Sequence, residues 1–146
     1  MTIHNDQEFK QALSELSMVE QRMLAVQFIE SVLHLNPDPL IERALKVVRD
    51  KSEFGDIYAS INSLAVKTYT ACGNDADWLA QAAHFVATAA RACLTPLDHL
   101  GNKTNLAWTC AMQTRMAKNC EMIESDSDTV DNEAQKQYVI TDAYIS

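Results

Sequence analysis

The sequence predicts an all-α fold, a single-domain antiparallel bundle of five or six helices, and three observations carry that prediction. The 146 residues include only three glycines and three prolines, so chain breakers are scarce and long helices are favoured over many short strands. Apolar residues recur at helical spacing along most of the chain. One stretch, residues 75–94 (DADWLAQAAHFVATAARACL), is apolar on almost every side. Within it Trp78, Ala82, Phe85, Ala89 and Cys93 follow the four-three-four spacing of one helical face, and Leu79, Ala83, Val86 and Ala90 fill the face beside it;. A helix coated in this way belongs in the middle of a bundle. The core is expected around Trp78, Phe85, Val86, Trp108, Met112 and Ile123.

In chain order, Phe9, Leu13 and Leu16 mark a short helix over residues 6–16, with Asn5 or Asp6 as its cap;. Ser17 and Glu20 form a capping-box pattern that opens a second helix. That helix is expected to reach about residue 35 on an apolar side of Val19, Val26, Ile29 and Leu33, and the NPDP segment at 36–39 ends it;. Leu40, Ile41, Ala44, Leu45 and Val48 stripe the third helix, whose other face carries Glu42, Arg43, Lys46 and Arg49. Ile57, Ile61, Leu64 and Ala65 build the fourth, with Gly73 where a C-terminal cap is expected;. The central helix follows. A loop over 95–103 then leads to a helix over 105–124, lined by Trp108, Met112, Met116 and Ile123.

The bundle is expected to occupy residues 1–124, and residues 125–146 an acidic linker and tail. SDSDTVDNE at 125–133 carries few apolar groups and many carboxylates;. Residues 138–145 turn apolar again and are expected to dock on the bundle as a strand or short helix, or to become ordered on a partner.

Charge narrows the function classes. Twenty acidic against twelve basic residues give a formal charge of −8, which disfavours phosphate backbones and anionic membranes and favours a basic protein partner. The basic residues do not gather on one face with aromatics between them, so direct nucleic-acid binding is not expected. The polar start MTIHNDQEFK lacks a following signal-type apolar run, and no run approaches a membrane span;. A cytoplasmic protein is expected. Cys72, Cys93, Cys110 and Cys120 form no CxxC pair and read as reduced, buried thiols;.

Few constellations carry chemistry. The three glycines, at 55, 73 and 101, form neither a GxGxxG fingerprint nor a P-loop;. There is no Glu-x-x-His pair of the kind that builds carboxylate-bridged metal centres in bundles. Glu30 and His34 stand four apart and are expected to pair with each other, and no metal or other cofactor is expected;. Cys93 and His84 lie nine apart on one helix and cannot touch. Cys93 could meet His99 across the following loop, although nothing nearby would activate the thiol. The polar stripe Gln81, His84, Thr88 and Arg91 crosses the otherwise apolar central helix. It is either a structural network or solvated edge, or the floor of a small-anion pocket with Arg91 as anchor and His84 as donor.

Over residues 21–123 the plan resembles the all-helical immunity proteins of bacterial toxin systems. The similarity rests on the opening helix before the Pro-Asp-Pro turn and on the Ala-rich runs AQAAHFVATAARA and NLAWTCAMQTRMA. It implies a small cytosolic protein that binds and neutralises a toxin without chemistry of its own, and it carries over no individual functional residue. Two readings follow. The first is a non-enzymatic inhibitory protein acting through acidic groups such as Glu124, Asp126, Asp128 and Asp131. The second is a small-ligand-binding helical protein or uncommon helical enzyme with its site around Gln81, His84, Thr88 and Arg91. A homo-oligomer is compatible with either.

Overall fold

Local capping decides where most of the helices begin. The computed structural model describes residues 2–52, 54–72, 77–96, 105–125 and 132–146. Among them it contains seven α-helices and one 3₁₀ turn, and no strand. Helix α1 (Asp6–Ser14) starts at Asn5, whose side chain accepts the Glu8 amide at 2.9 Å. Helix α2 (Met18–Glu30) opens on the expected capping box, with the Glu20 amide donating to Ser17 Oγ and the Ser17 amide to the Glu20 carboxylate;. Helix α3 (Pro39–Arg49) follows Asp38 as cap and places Pro39 in its first turn, where the missing N–H costs nothing;. Helix α4 spans Gly55–Cys72, and Asp77 caps α5 (Trp78–Leu94) by accepting from Ala80. Asn105 caps α6 (Leu106–Ser125), and Asn132 caps α7 (Glu133–Ile145).

The apolar residues of these helices collect into two clusters. One joins Val26 and Ile29 of α2 to Ile41 and Leu45 of α3, Ile61 of α4, Val86 and Leu94 of α5, and Leu106 of α6. The other joins Ile3, Phe9 and Leu13 to Leu24 and Phe28 of α2, Ala107 and Ala111 of α6, and Tyr138 of α7. Phe9 is its centre, with ring centroids 5.9 Å from Phe28, 5.8 Å from Trp108 and 5.3 Å from Tyr138. Burying a phenylalanine completely is worth about 1.5–3 kcal/mol, and Phe9 and Phe28 are both fully buried. Because α2 and α6 contribute to both clusters, the two share their supporting helices. Helix α5 packs against α2, α3, α4, α6 and the 3₁₀ turn, so it holds the central place that its apolar coat implies.

Several expectations need correction. Seven α-helices exceed the five or six expected, and the added one is α7, formed by the tail. Its inward face carries Glu133, Gln137, Tyr138 and Thr141, while Val139 is 58% and Ile145 42% exposed. The docking face mixes these polar groups with Ala134, Ile140 and Tyr144, which pack against the second cluster, so no simple apolar stripe marks the helix. Helix α2 stops at Glu30, and Leu33–Leu35 form only a 3₁₀ turn. Of the expected core, Val86 is fully buried and Trp78, Phe85, Trp108 and Met112 are half-buried, but Ile123 is 51% exposed. Met116, also expected to face inward, is exposed as well. Both lie on the side of α6 turned away from the clusters, whose inner positions are held by alanine, threonine and cysteine. Gly73, proposed as a helix cap, lies outside the described residues.

Candidate functional site

Two neighbouring polar residues of α2 bind the ends of the α5–α6 pair. Gln21 donates from Nε2 to the Leu16 carbonyl and accepts the Leu106 amide at 3.0 Å, satisfying one of the free N–H groups at the start of α6;. Arg22 reaches the end of α5. Its Nη1 donates to the Cys93 carbonyl at 2.5 Å and its Nη2 to the Thr95 carbonyl at 2.7 Å. The guanidinium therefore closes the C-terminus of α5, where the helix dipole favours a cation. Its plane also lies 4.9 Å from the centroid of the Phe54 ring;.

Arg22 is only 8% exposed. Burial lowers its pKa, and the Cys93 and Cys110 sulfurs act in the opposite direction; an arginine nonetheless stays charged. No carboxylate pairs with it among the described residues. That distinguishes it from Arg115, which is bidentate to Asp6 at 2.8 and 3.0 Å, and from Arg49, which meets Glu30 at 2.5 Å.

Beside Arg22 a groove opens between the start of α2, the α3–α4 junction and the chain leaving α5. Val19, Met23, Val48 and Phe54 line its inner part, with a volume of about 180 Å³. A wider part of about 570 Å³ extends past Met18, Tyr58 and Pro96. Arg22, Lys51 and Ser52 border both parts. Lys51 is placed there by the way α3 ends. The Ser52 amide reaches back to the Val47 carbonyl and the Lys51 amide to Val48, a Schellman closure that puts Lys51 at φ 56°;. Glycine normally fills that position, and here a lysine does. Val19 at the mouth is 55% exposed, so an apolar residue expected to face the core instead edges the groove.

The predicted stripe on α5 lies elsewhere and is tied to neighbouring helices. The Thr68 hydroxyl donates to the Ala65 carbonyl, and His84 Nδ1 shares a hydrogen bond with Thr68 Oγ1, each at 3.0 Å. Burial lowers the His84 pKa, repulsion from Arg91 lowers it further, and a hydrogen bond involving Ala65 partly offsets both. Thr88 donates to Gln113 on α6 at 3.0 Å, and Arg91 Nη1 lies 3.5 Å from the side-chain oxygen Oδ1 of Asn62 on α4. Gln81 is half-buried beside them. The structure thus brings His84, Thr88 and Arg91 into contact with the polar groups of two adjacent helices. In the acidic set Glu124 is exposed near the end of α6, whereas Asp126, Asp128 and Asp131 lie outside the described residues.

Glu30 and His34 do not pair with each other, contrary to expectation. Glu30 binds Arg49, and His34 Nε2 lies 2.6 Å from Glu121. The reason is that α2 has ended before His34, so the four-residue spacing no longer stacks the two side chains. The four cysteines are free thiols. Cys93 is buried against the Arg22 carbonyl at 3.7 Å, and Cys110 is fully buried, which raises its pKa well above the usual range. His99 lies outside the described residues. Among the described residues no group of three or more His, Cys, Asp or Glu side chains could hold a metal ion, and no helix is long and apolar enough to cross a membrane.

The role of Arg22 has a signal in the sequence that composition obscures. It stands four residues before Val26 and seven before Ile29, on the same helical face, where a cation needs a buried partner. Comparison with known proteins supplies no precedent: no protein-family model, no curated protein and no solved structure matches this chain.

Proposed function

We propose that this protein is a non-enzymatic binding protein of the partner-neutralising, immunity type, which presents an acidic surface to a basic partner. The observation that supports this reading is the disposition of its charges. The chain carries a net −8, and much of its positive charge is engaged within the molecule. Arg22 is buried on helix carbonyls, Arg115 binds Asp6, Lys118 binds Glu121 and Arg49 binds Glu30. Exposed carboxylates such as Glu42, Asp56 and Glu124 remain on the outside. Such a surface steers a basic partner at long range and gives an association rate that falls with salt. Charge reversal of Glu124, Asp126, Asp128 and Asp131 together is expected to weaken partner capture and flatten its salt dependence. Capture unchanged by the four reversals would remove this surface from the interface.

A second reading, a small-ligand-binding protein, is favoured by the groove beside Arg22. In that reading the site is not the His84–Arg91 stripe, whose side chains would have to leave Thr68 and Asn62, but the preformed concavity under Val19. Its mixture of apolar walls and a few fixed polar groups is the usual make-up of a ligand site.

A further inference from the structure

We infer that the groove binds an aliphatic carboxylate of medium chain length, its chain lying along Val19, Met23, Val48 and Phe54 and its carboxylate between Arg22 and Lys51. This rests on the small-ligand reading and adds the chemistry of the ligand.

Charge is the first argument. A guanidinium that is 8% exposed ordinarily sits against a carboxylate, because removing a charge from water is costly unless it is paired. Arg22 has two carbonyl oxygens instead, and the end of α5 they belong to supplies roughly half a unit of negative charge;. Three of its five donors have no part in those two bonds. Lys51 is exposed at the border of the same groove and has no ion-pair partner among the described residues. Arg22 and Lys51 thus bring two cationic side chains to one concave place on a protein of net charge −8. An anion is attracted there, and an ammonium is repelled by the same two groups.

Shape and lining supply the rest. The inner volume of about 180 Å³ is bounded mainly by aliphatic side chains and one aromatic ring. A bare inorganic anion would leave those walls unfilled. An α-helix is about 10–12 Å across with its side chains, so a partner helix is far larger than this inner space. A single flexible hydrocarbon chain fills it and buries apolar area on both sides.

Octanoate, octylammonium and octanol separate the charge from the chain. Each is titrated into ¹⁵N-labelled protein at neutral pH, with the amide signals of Val19, Ser52 and Gly55 followed. Octanoate is expected to shift these amides saturably, and octylammonium to bind at least about tenfold more weakly. Lys51→Gly should weaken octanoate by about threefold while leaving octanol unchanged. Val19→Asp, at an exposed position, should abolish octanoate binding while the helical circular dichroism is retained. Octanol or octylammonium binding as tightly as octanoate would overturn the carboxylate assignment and leave the groove as a ligand site. No localised shift with any of the three probes would overturn the small-ligand reading together with the inference.

Discussion

Lys51 shows how a single residue carries strain and position together. Its φ of 56° lies in the left-handed region, which costs a non-glycine residue about 1–2 kcal/mol. Glycine avoids that cost but loses roughly 0.5–1 kcal/mol more backbone entropy on folding. Lys51→Gly is therefore expected to stabilise the protein by about 0.5–1 kcal/mol, read as a higher urea midpoint with unchanged slope. A destabilised variant would mean that the lysine side chain itself supports the turn. His84 gives a pH dependence at the same scale. Its folded pKa is depressed by burial and by Arg91, so as pH falls below the ordinary 6.5 the unfolded chain takes up a proton that the folded protein resists. Stability should therefore decline from about pH 6.5 downward until the folded pKa is reached, and His84→Gln should flatten that limb of a urea-midpoint profile.

At the scale of elements, α7 is held by polar contacts as much as by apolar ones. Asp142 accepts the Ile3 amide at 3.0 and 3.2 Å, and Asp6 accepts both the Tyr138 hydroxyl at 2.7 Å and the Arg115 guanidinium. The two ends of the chain are thereby bound to each other. Gln137, fully buried, donates to the Ala111 carbonyl and to Thr114 Oγ1 and accepts from Arg115 Nε at 2.8 Å. Removing that amide leaves buried donors and acceptors without a partner, which costs about 1–3 kcal/mol per orphaned group. Gln137→Ala is expected to lower stability by about 2–3 kcal/mol and to speed hydrogen exchange in α7 before it does so in α5. Equal acceleration in both helices would contradict this account. The sequence offers docking of the tail as a strand or a short helix without deciding between them. The docking face of α7 combines Gln137 and Thr141 with Tyr138, Ala134 and Tyr144, whereas Val139 and Ile145 stay exposed.

Over the whole molecule, α2 and α6 contribute side chains to both apolar clusters, and Arg22 and Gln21 join α2 to the ends of α5 and α6. Loss of either cluster removes the support of the other. Thermal or urea unfolding is expected to show one transition, with near-ultraviolet circular dichroism from Trp78 and Trp108 superimposing on the far-ultraviolet helical signal. Separated midpoints would show that the clusters unfold independently.

What the sequence by itself determined was the all-helical character, the capping box at Ser17, the apolar stripe of α3 and the central place of α5. These follow from local causes: hydrogen bonds that span three or four residues, and a periodicity that repeats every 3.6. The polar stripe Gln81, His84, Thr88 and Arg91 was also legible, because it interrupts an apolar coat. Only the tertiary structure decided what those side chains meet, that Glu30 and His34 take separate partners, and that Arg22 closes a helix 71 residues away in sequence. The groove belongs to the same category. Its walls come from three separate stretches, represented by Val19 and Met23, by Val48 and Phe54, and by Pro96, which no local pattern relates, and burial of a cation can be judged only once all the segments around it are in place.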